Sequence, residues 1–531
     1  MISISLLALT LCGDILVQPF RVAEAEPRHH QVHLRAAMAG DGGVAIAWVD
    51  SLQLPDHFEL DIYIRFFEED GAPLTDAYKI PKLADTNWIY HPRLDMDSLG
   101  NTVLVWIDDK TESNEELSNI RFQAFGPDGT PRGSPKTLYS QVDIGFATPV
   151  SLANNGEFAM VFETILIGRG TGIWVQRFDL KGVPQDSAFL AHVDFDSISD
   201  TLHFRYPEVA MNDAGDMVVT WLDCIESARM YPRFQVFDAQ DEPILPWEPM
   251  GHRLDDGGEQ CGACRPEPHW LDNDRFVVFY RDYMAPRPTP FFPFLGRVFS
   301  ERGLIRHPIR TLIWGDSLWL TGADPRGQYS TAIAPNDSFA YTHTRNHYDY
   351  PDTSNPWKQR NWEHGAGFLG QVINNEPWRR TNLFEYTPPW GADTVNSNFG
   401  NWFHDQAPAV ACCDDRIVWV YSRLNTDTIF EAFAMITDWD MGIGVVEPPI
   451  VEKPPNWEVM TSIGSQIVLR YQDSPDGFRA SIFDASGRKV DEVHATESSG
   501  MITWGRCYGP GVYFIVPQDS QAPALKVVLV R

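Results

Sequence analysis

Four patterns in this chain have residue types and spacing that could do chemistry. An aromatic-x-Asp triplet recurs as Trp48/Asp50, Trp106/Asp108, Trp221/Asp223 and Tyr280/Asp282. A ring of such carboxylates could line a channel or hold Ca²⁺ through oxygen ligands. An acid repeated in every unit is more simply a requirement of the unit, capping a turn or accepting from backbone amides, and that is the expected role. Cys261-Gly-Ala-Cys264 has metal-ligand spacing. A structural zinc site needs four ligands, and only Cys224 or His269 stands ready to complete one, so a disulfide or inert thiols are expected instead. His343, Arg345, His347 and His364 lie close in sequence and read as scattered surface residues. The stretch 343–403 concentrates Tyr348, Tyr350, Trp357, Trp362, Trp378 and Trp390, with Arg360, Arg379 and Arg380 among them. Such rings stack on sugar faces and anchor protein interfaces, which makes these six aromatics the candidate ligand-binding residues. Their competing role is to pack against the scaffold. Serine-hydrolase elbows, phosphate-binding loops and HExxH are absent, so no catalytic residue is assigned and no cofactor is expected.

The elements that must position these residues follow from composition and period. The chain has 531 residues, 39 Gly, 39 Pro and 12% aromatics. That favours many short strands and turns, and no window shows sustained helical periodicity. The net charge of -30 repels phosphate backbones and excludes nucleic acid as the natural partner. No segment reaches the length of about 18 apolar residues needed for a membrane-spanning helix.

The turn glycines Gly42, Gly100, Gly156 and Gly215 each stand six residues before an aromatic: Trp48, Trp106, Phe162 and Trp221. Those aromatics are 58, 56 and 59 residues apart, a repeat architecture with a period of about 57. Later units drift, with Tyr280/Asp282, His343/Arg345 and Tyr421/Arg423 at the marked positions, giving seven units over 30–444. Each unit reads as two hairpins. In Met217–Asp223 apolar residues occupy both faces, with Met217, Val219 and Trp221 on one and Val218 and Leu222 on the other. A strand apolar on both faces is sandwiched between sheets. Four-stranded sheets packed face to face at this spacing predict an all-β fold, a β-propeller of about seven blades. Tandem sandwich domains would need about 100 residues each.

Residues 445–456, VVEPPIVEKPPN, predict a Pro-rich linker. Beyond it, 457–531 alternates apolar and polar residues around turns and forms a separate small β-sandwich. The segments SIFDASGRKV, then Trp504, then GPGVYFIVP, then KVVLVR in that order resemble the type IX (Por) secretion C-terminal sorting domain and the related immunoglobulin-like domain of flagellar hook-cap proteins. The resemblance rests on Asp484, Gly487, Arg488, Gly511, Tyr513 and Lys526. After Trp504 the chain has Gly505-Arg506-Cys507 where that family usually has Asp-Gly. The resemblance implies a bacterial protein that engages sorting machinery and ends outside the outer membrane.

At the other end, the apolar run 2–12 followed by Ala23-Glu24-Ala25 predicts a leader, residues 1–25, cut after Ala25. The functional expectation is therefore a secreted or surface-associated propeller that binds a glycan or protein without catalysis. The alternatives are a secreted carbohydrate-active or other hydrolytic propeller, and a purely structural surface component.

Overall fold

The structure is a computed structural model. It describes residues 15–530 except 55–57, 86, 111–117, 143–147, 167–169, 193–202, 226–228, 246–251, 254–263, 282–293, 301–309, 314–328, 348–361, 382–383, 386–389, 392–407, 425–428, 441–456, 462, 472–477, 485–487, 507 and 518–524. The chain divides into two compact units, Met1–Val446 and Glu447–Arg531. The linker expected at 445–456 lies outside the described residues.

The described residues of the first unit form seven antiparallel sheets. The first five blades are consecutive meanders, such as His29–Met38, Val44–Gln53, Phe58–Phe67 and Tyr78–Lys79 in blade one. Blade six is Tyr329–Ile333, Ser338–His347, Trp362–Ile373 and Glu376–Arg379, with two short strands added on Trp362–Ile373. The segment GFLGQVI, expected among its outer strands, is its third strand. Blade seven takes Ala409–Cys412, Ile417–Leu424 and Phe430–Thr437 from the C-terminal end of the unit, and its outer strand Ile15–Arg21 from the N-terminal end. Residues 15–21, which fall within the expected leader, pair here with Phe430–Thr437, whose outer side is otherwise an unpaired sheet edge.

The ring closes through its cores. Seven clusters of buried apolar residues occupy the seams between successive blades, and the seam of blades seven and one joins Val22, Leu34 and Trp48 to Val418, Val420 and Ala432. The strand apolar on both faces behaves as its pattern demands. Met217, Val219 and Trp221 pack against blade three, while Val218 and Leu222 pack against blade five.

Turn chemistry sets the tight end of the first four blades. Gly42, Gly100, Gly156 and Gly215 have φ of 90, 84, 83 and 89°, a region favoured by glycine. A second set of turns repeats too, with bridges Phe67–Pro73, Phe125–Pro131, Phe178–Pro184 and Phe237–Pro243. There Gly182 lies so close to Phe122 of the preceding blade that an added Cβ would stand 2.2 Å from its ring.

The second unit packs a three-stranded and a five-stranded sheet about one core, with Leu469, Tyr471 and Trp504 facing Ala480, Ile482, Ile515 and Val527. Asp484 receives the Arg488 amide at 3.1 Å and its guanidinium at 3.1 Å, closing the turn of the FDxxGR motif. Gly511 opens the strand Gly511–Pro517, which carries Tyr513, and Lys526 lies in Leu525–Leu529. Gly487 and the Lys526 side chain lie outside the described residues.

Candidate functional site

In an up-and-down blade the first and third turns lie at one end of the channel and the second and blade-to-blade connections at the other. The tight glycine turns occupy the first end. The connections across 282–293, 348–361 and 392–407 leave from strand ends at the second. Trp362 and Trp390 are held there by pairing of Trp362–Ile373 with Trp390–Gly391. Trp378 pairs with Gln371, nine residues further along the same strand, roughly 30 Å away at the usual rise. The six aromatics are therefore not one cluster. Tyr348, Tyr350 and Trp357 lie outside the described residues, as do the side chains of Trp362 and Trp390.

The repeated acids are architectural where they are described. Asp108 is fully buried and accepts from Leu83 N at 2.9 Å, Asn87 Nδ2 at 2.6 Å and Arg121 Nη1 at 2.9 Å. Asp50 pairs with His29 Nδ1 at 2.5 Å. His343, expected at the surface, is fully buried against Tyr341, because it occupies the aromatic position of its blade.

The groups able to do chemistry together come from the inner strands. A cavity of about 450 Å³ lies in the channel toward the tight-turn end and is lined by inner-strand residues of all seven blades. In blades one, two, four and five the inner strand is interrupted by a bulge, and the residue that resumes pairing is charged: Arg35, Arg93, Glu208 and Glu267. Three of the bulges hold a non-glycine residue at positive φ: His33 at 51°, His91 at 52° and Tyr206 at 55°. Bulges re-aim side chains, and strained backbone of this kind concentrates at functional sites. The sequence analysis missed this set. Its signal is a charged residue three positions before Met38, Met96, Met211 and Trp270 of the repeat.

Arg93 reaches across blade three, whose inner strand there is Val150–Leu152, to Glu208 at 3.8 Å. Asp95 accepts Leu152 N at 2.7 Å and Met96 N at 2.9 Å, and burial pushes its carboxyl up to about 6 against those donors. Glu267 accepts both Thr331 N at 3.0 Å and Thr331 Oγ1 at 2.7 Å, and His269 Nε2 lies 2.7 Å from the same hydroxyl. Because the Thr331 hydroxyl donates to Glu267, His269 must donate to Thr331, which assigns its proton to Nε2. Burial pushes His269 down to about 4, opposed by the charge of Glu208. Cys412 and Cys413 line the same cavity as free thiols, and burial holds the Cys412 thiol well above its ordinary range, against a thiolate role.

These two shifts oppose each other in the linkage of stability to pH. His269 binds its proton more readily when unfolded, so it makes stability rise with pH between about 4 and 6.5. Asp95 binds its proton more readily when folded, so it makes stability fall with pH between about 4 and 6. Each effect is about 1–2 kcal/mol once partial solvent contact is allowed for. Their sum is a flat profile. Urea unfolding from pH 4 to 6.5 is expected to show His269→Asn losing stability as pH rises and Asp95→Asn gaining it. Two variants that both track the parent would refute the assignment.

No protein-family model matches the chain, and no curated protein matches it. Solved structures do. A protein of unknown function from Dyadobacter fermentans is 9% identical over 79% of this chain and 99% of its own, with a TM-score of 0.41. An α-L-arabinanase from Penicillium chrysogenum, complexed with arabinobiose, is 10% identical over 80% of this chain and 100% of its own, at 0.40. A PL25 ulvan lyase is 8% identical over 78% of this chain and 96% of its own, at 0.45. These likenesses concern the fold alone.

Proposed function

We propose that the propeller is a carbohydrate-active hydrolase that works in its channel, in preference to a binding module without catalysis. One observation carries this reading: three carboxylates, two guanidinium groups and an imidazole converge in one cavity from inner strands of four blades. Glycoside cleavage needs a proton for the leaving oxygen and a carboxylate facing the cationic transition state. Asp95, held protonated to about 6, suits the donor. Glu208, 3.8 Å from Arg93, is placed as the second carboxylate. Arg35 and Arg93 are placed to orient hydroxyl or carboxylate groups of a sugar. The test is release of reducing ends by the full chain from a panel of neutral and acidic polysaccharides, with Asp95→Asn and Glu208→Gln as variants. Binding with no release from any member would sink the hydrolase and leave the binding module.

We also propose that the protein is exported and that its C-terminal unit engages sorting machinery. The apolar run at 2–12 and the sorting-type motif support this. Fractionation of the native host with and without residues 457–531 checks it. The truncated chain is expected to be retained inside the cell, and unchanged localisation would refute sorting.

A further inference from the structure

The outer edge of blade seven is an interaction edge with a built-in occupant. Phe430–Thr437 is an apolar strand, and along its outer side Ile15, Val17, Phe20 and Arg21 pair antiparallel with Thr437, Ile436, Ala434 and Phe433. The pairing extends past the strand, since Val22 N donates to Ala432 O at 2.9 Å and Val22 is fully buried. Arg65 of blade one donates to Val22 O at 2.8 Å, so the segment is tied to the last and the first blade together. Arg21 adds an ion pair to Glu431 at 3.3 Å.

The fit to blade one follows the pattern of the internal seams. Glycines at one turn position, Gly129 and Gly182, press on Phe66 and Phe122 of the preceding blade. Gly71 at that position presses on Val17 and Phe20, where an added Cβ would stand 2.9 and 3.0 Å away. Phe20 thus fills the place that Phe66 and Phe122 fill elsewhere.

We propose that residues 15–25 remain in the mature protein as the closing strand of the ring, and that any leader cleavage falls before Ile15 instead of after Ala25. A chain cut after Ala25 would expose the Phe430–Thr437 edge and leave Gly71 facing a void. Such an edge accepts an extended peptide by strand addition. This inference holds whether or not the channel is catalytic.

The experiment has two arms. Intact mass of the protein recovered from its native host is expected to place the N-terminus at or before Ile15. An N-terminus at Glu26 in a cooperatively melting protein would overturn the proposal. In the second arm, the chain starting at Asp14 is expected to melt with the full chain. The chain starting at Glu26 is expected to melt lower or precipitate, and a synthetic peptide of residues 14–25 added in trans is expected to restore it. Full-length Phe20→Glu, which keeps every residue, should also melt lower. A chain from Glu26 or a Phe20→Glu variant that melts with the parent would overturn the proposal.

Discussion

Asp108→Ala is expected to cost the propeller about 3–5 kcal/mol, the range for removing one partner of a buried ion pair. The carboxylate has no exposed surface, and its partner Arg121 is 6% exposed. Arg121 Nη1 also donates to Pro81 O at 3.1 Å, and its guanidinium lies 5.7 Å from the centre of the Trp106 ring. Removing Asp108 therefore leaves the guanidinium with the carbonyls of Pro81 and Pro135 and a ring face but without the carboxylate that balances its charge. Two further donors, Leu83 N on the connection from blade one to blade two and Asn87 Nδ2 at the start of the inner strand Asn87–Met96, lose their acceptor. Asp108→Asn keeps the shape but turns an N–H toward a donor, so it should recover little. The double variant Asp108→Leu/Arg121→Met should lie much nearer the parent, because it removes both charges together. Urea unfolding followed by tryptophan fluorescence measures this. The chain has two compact units, so the transition must be assigned to the propeller. A single-variant loss below about 0.5 kcal/mol would show that Asp108 is not the seam acid described.

The periodic part of this architecture is written in the sequence because each blade solves one local problem. A positive-φ turn needs Gly42, Gly100, Gly156 or Gly215. A strand packed on both faces needs apolar residues on both. The acid at Asp108 needs a fixed place relative to its own turn. Local requirements leave a local signature at each repeat. Ring closure leaves none: Ile15 and Thr437 pair across more than four hundred residues, and neither segment states its partner. The outer strands are as faint, since Tyr78–Lys79 and His252–Arg253 have two residues each.

The channel set was hidden for a different reason. Arg35, Arg93, Glu208 and Glu267 are ordinary-looking charges in the inner strands, three of which carry a second charge, Asp95, Arg205 or Arg265. Only a bulge, which inserts one residue without changing composition, brings them to the same level of the ring. The aromatic stretch between 343 and 403 breaks the repeat pattern. Yet Trp378 shows that breaking the pattern does not place residues together. It stands at the other end of its strand from Trp362.

Asp95→Asn and Glu208→Gln are expected to lower kcat by about 10²–10⁴-fold, the usual contribution of a positioned acid or base. The two should differ in the pH dependence of what activity remains. Asp95 acts when protonated, so activity of the parent should fall as pH rises through about 6. In Asp95→Asn that alkaline limb should vanish, whereas Glu208→Gln should keep it. KM should change little in either, because neither variant alters the volume of the cavity. Asp95 also accepts two backbone amides, from Leu152 and Met96, and its amide can serve only one of them. Asp95→Asn should therefore lose about 1–3 kcal/mol of stability as well. Measuring kcat per folded molecule separates chemistry from folding. If Glu208→Gln keeps full kcat while Asp95→Asn loses it in proportion to its unfolded fraction, the carboxylates hold the ring together and do no catalysis. If both fall by two orders of magnitude in fully folded protein, with the alkaline limb of the pH profile erased only in Asp95→Asn, the inner-strand bulges are what turned a repeat scaffold into an acid–base site.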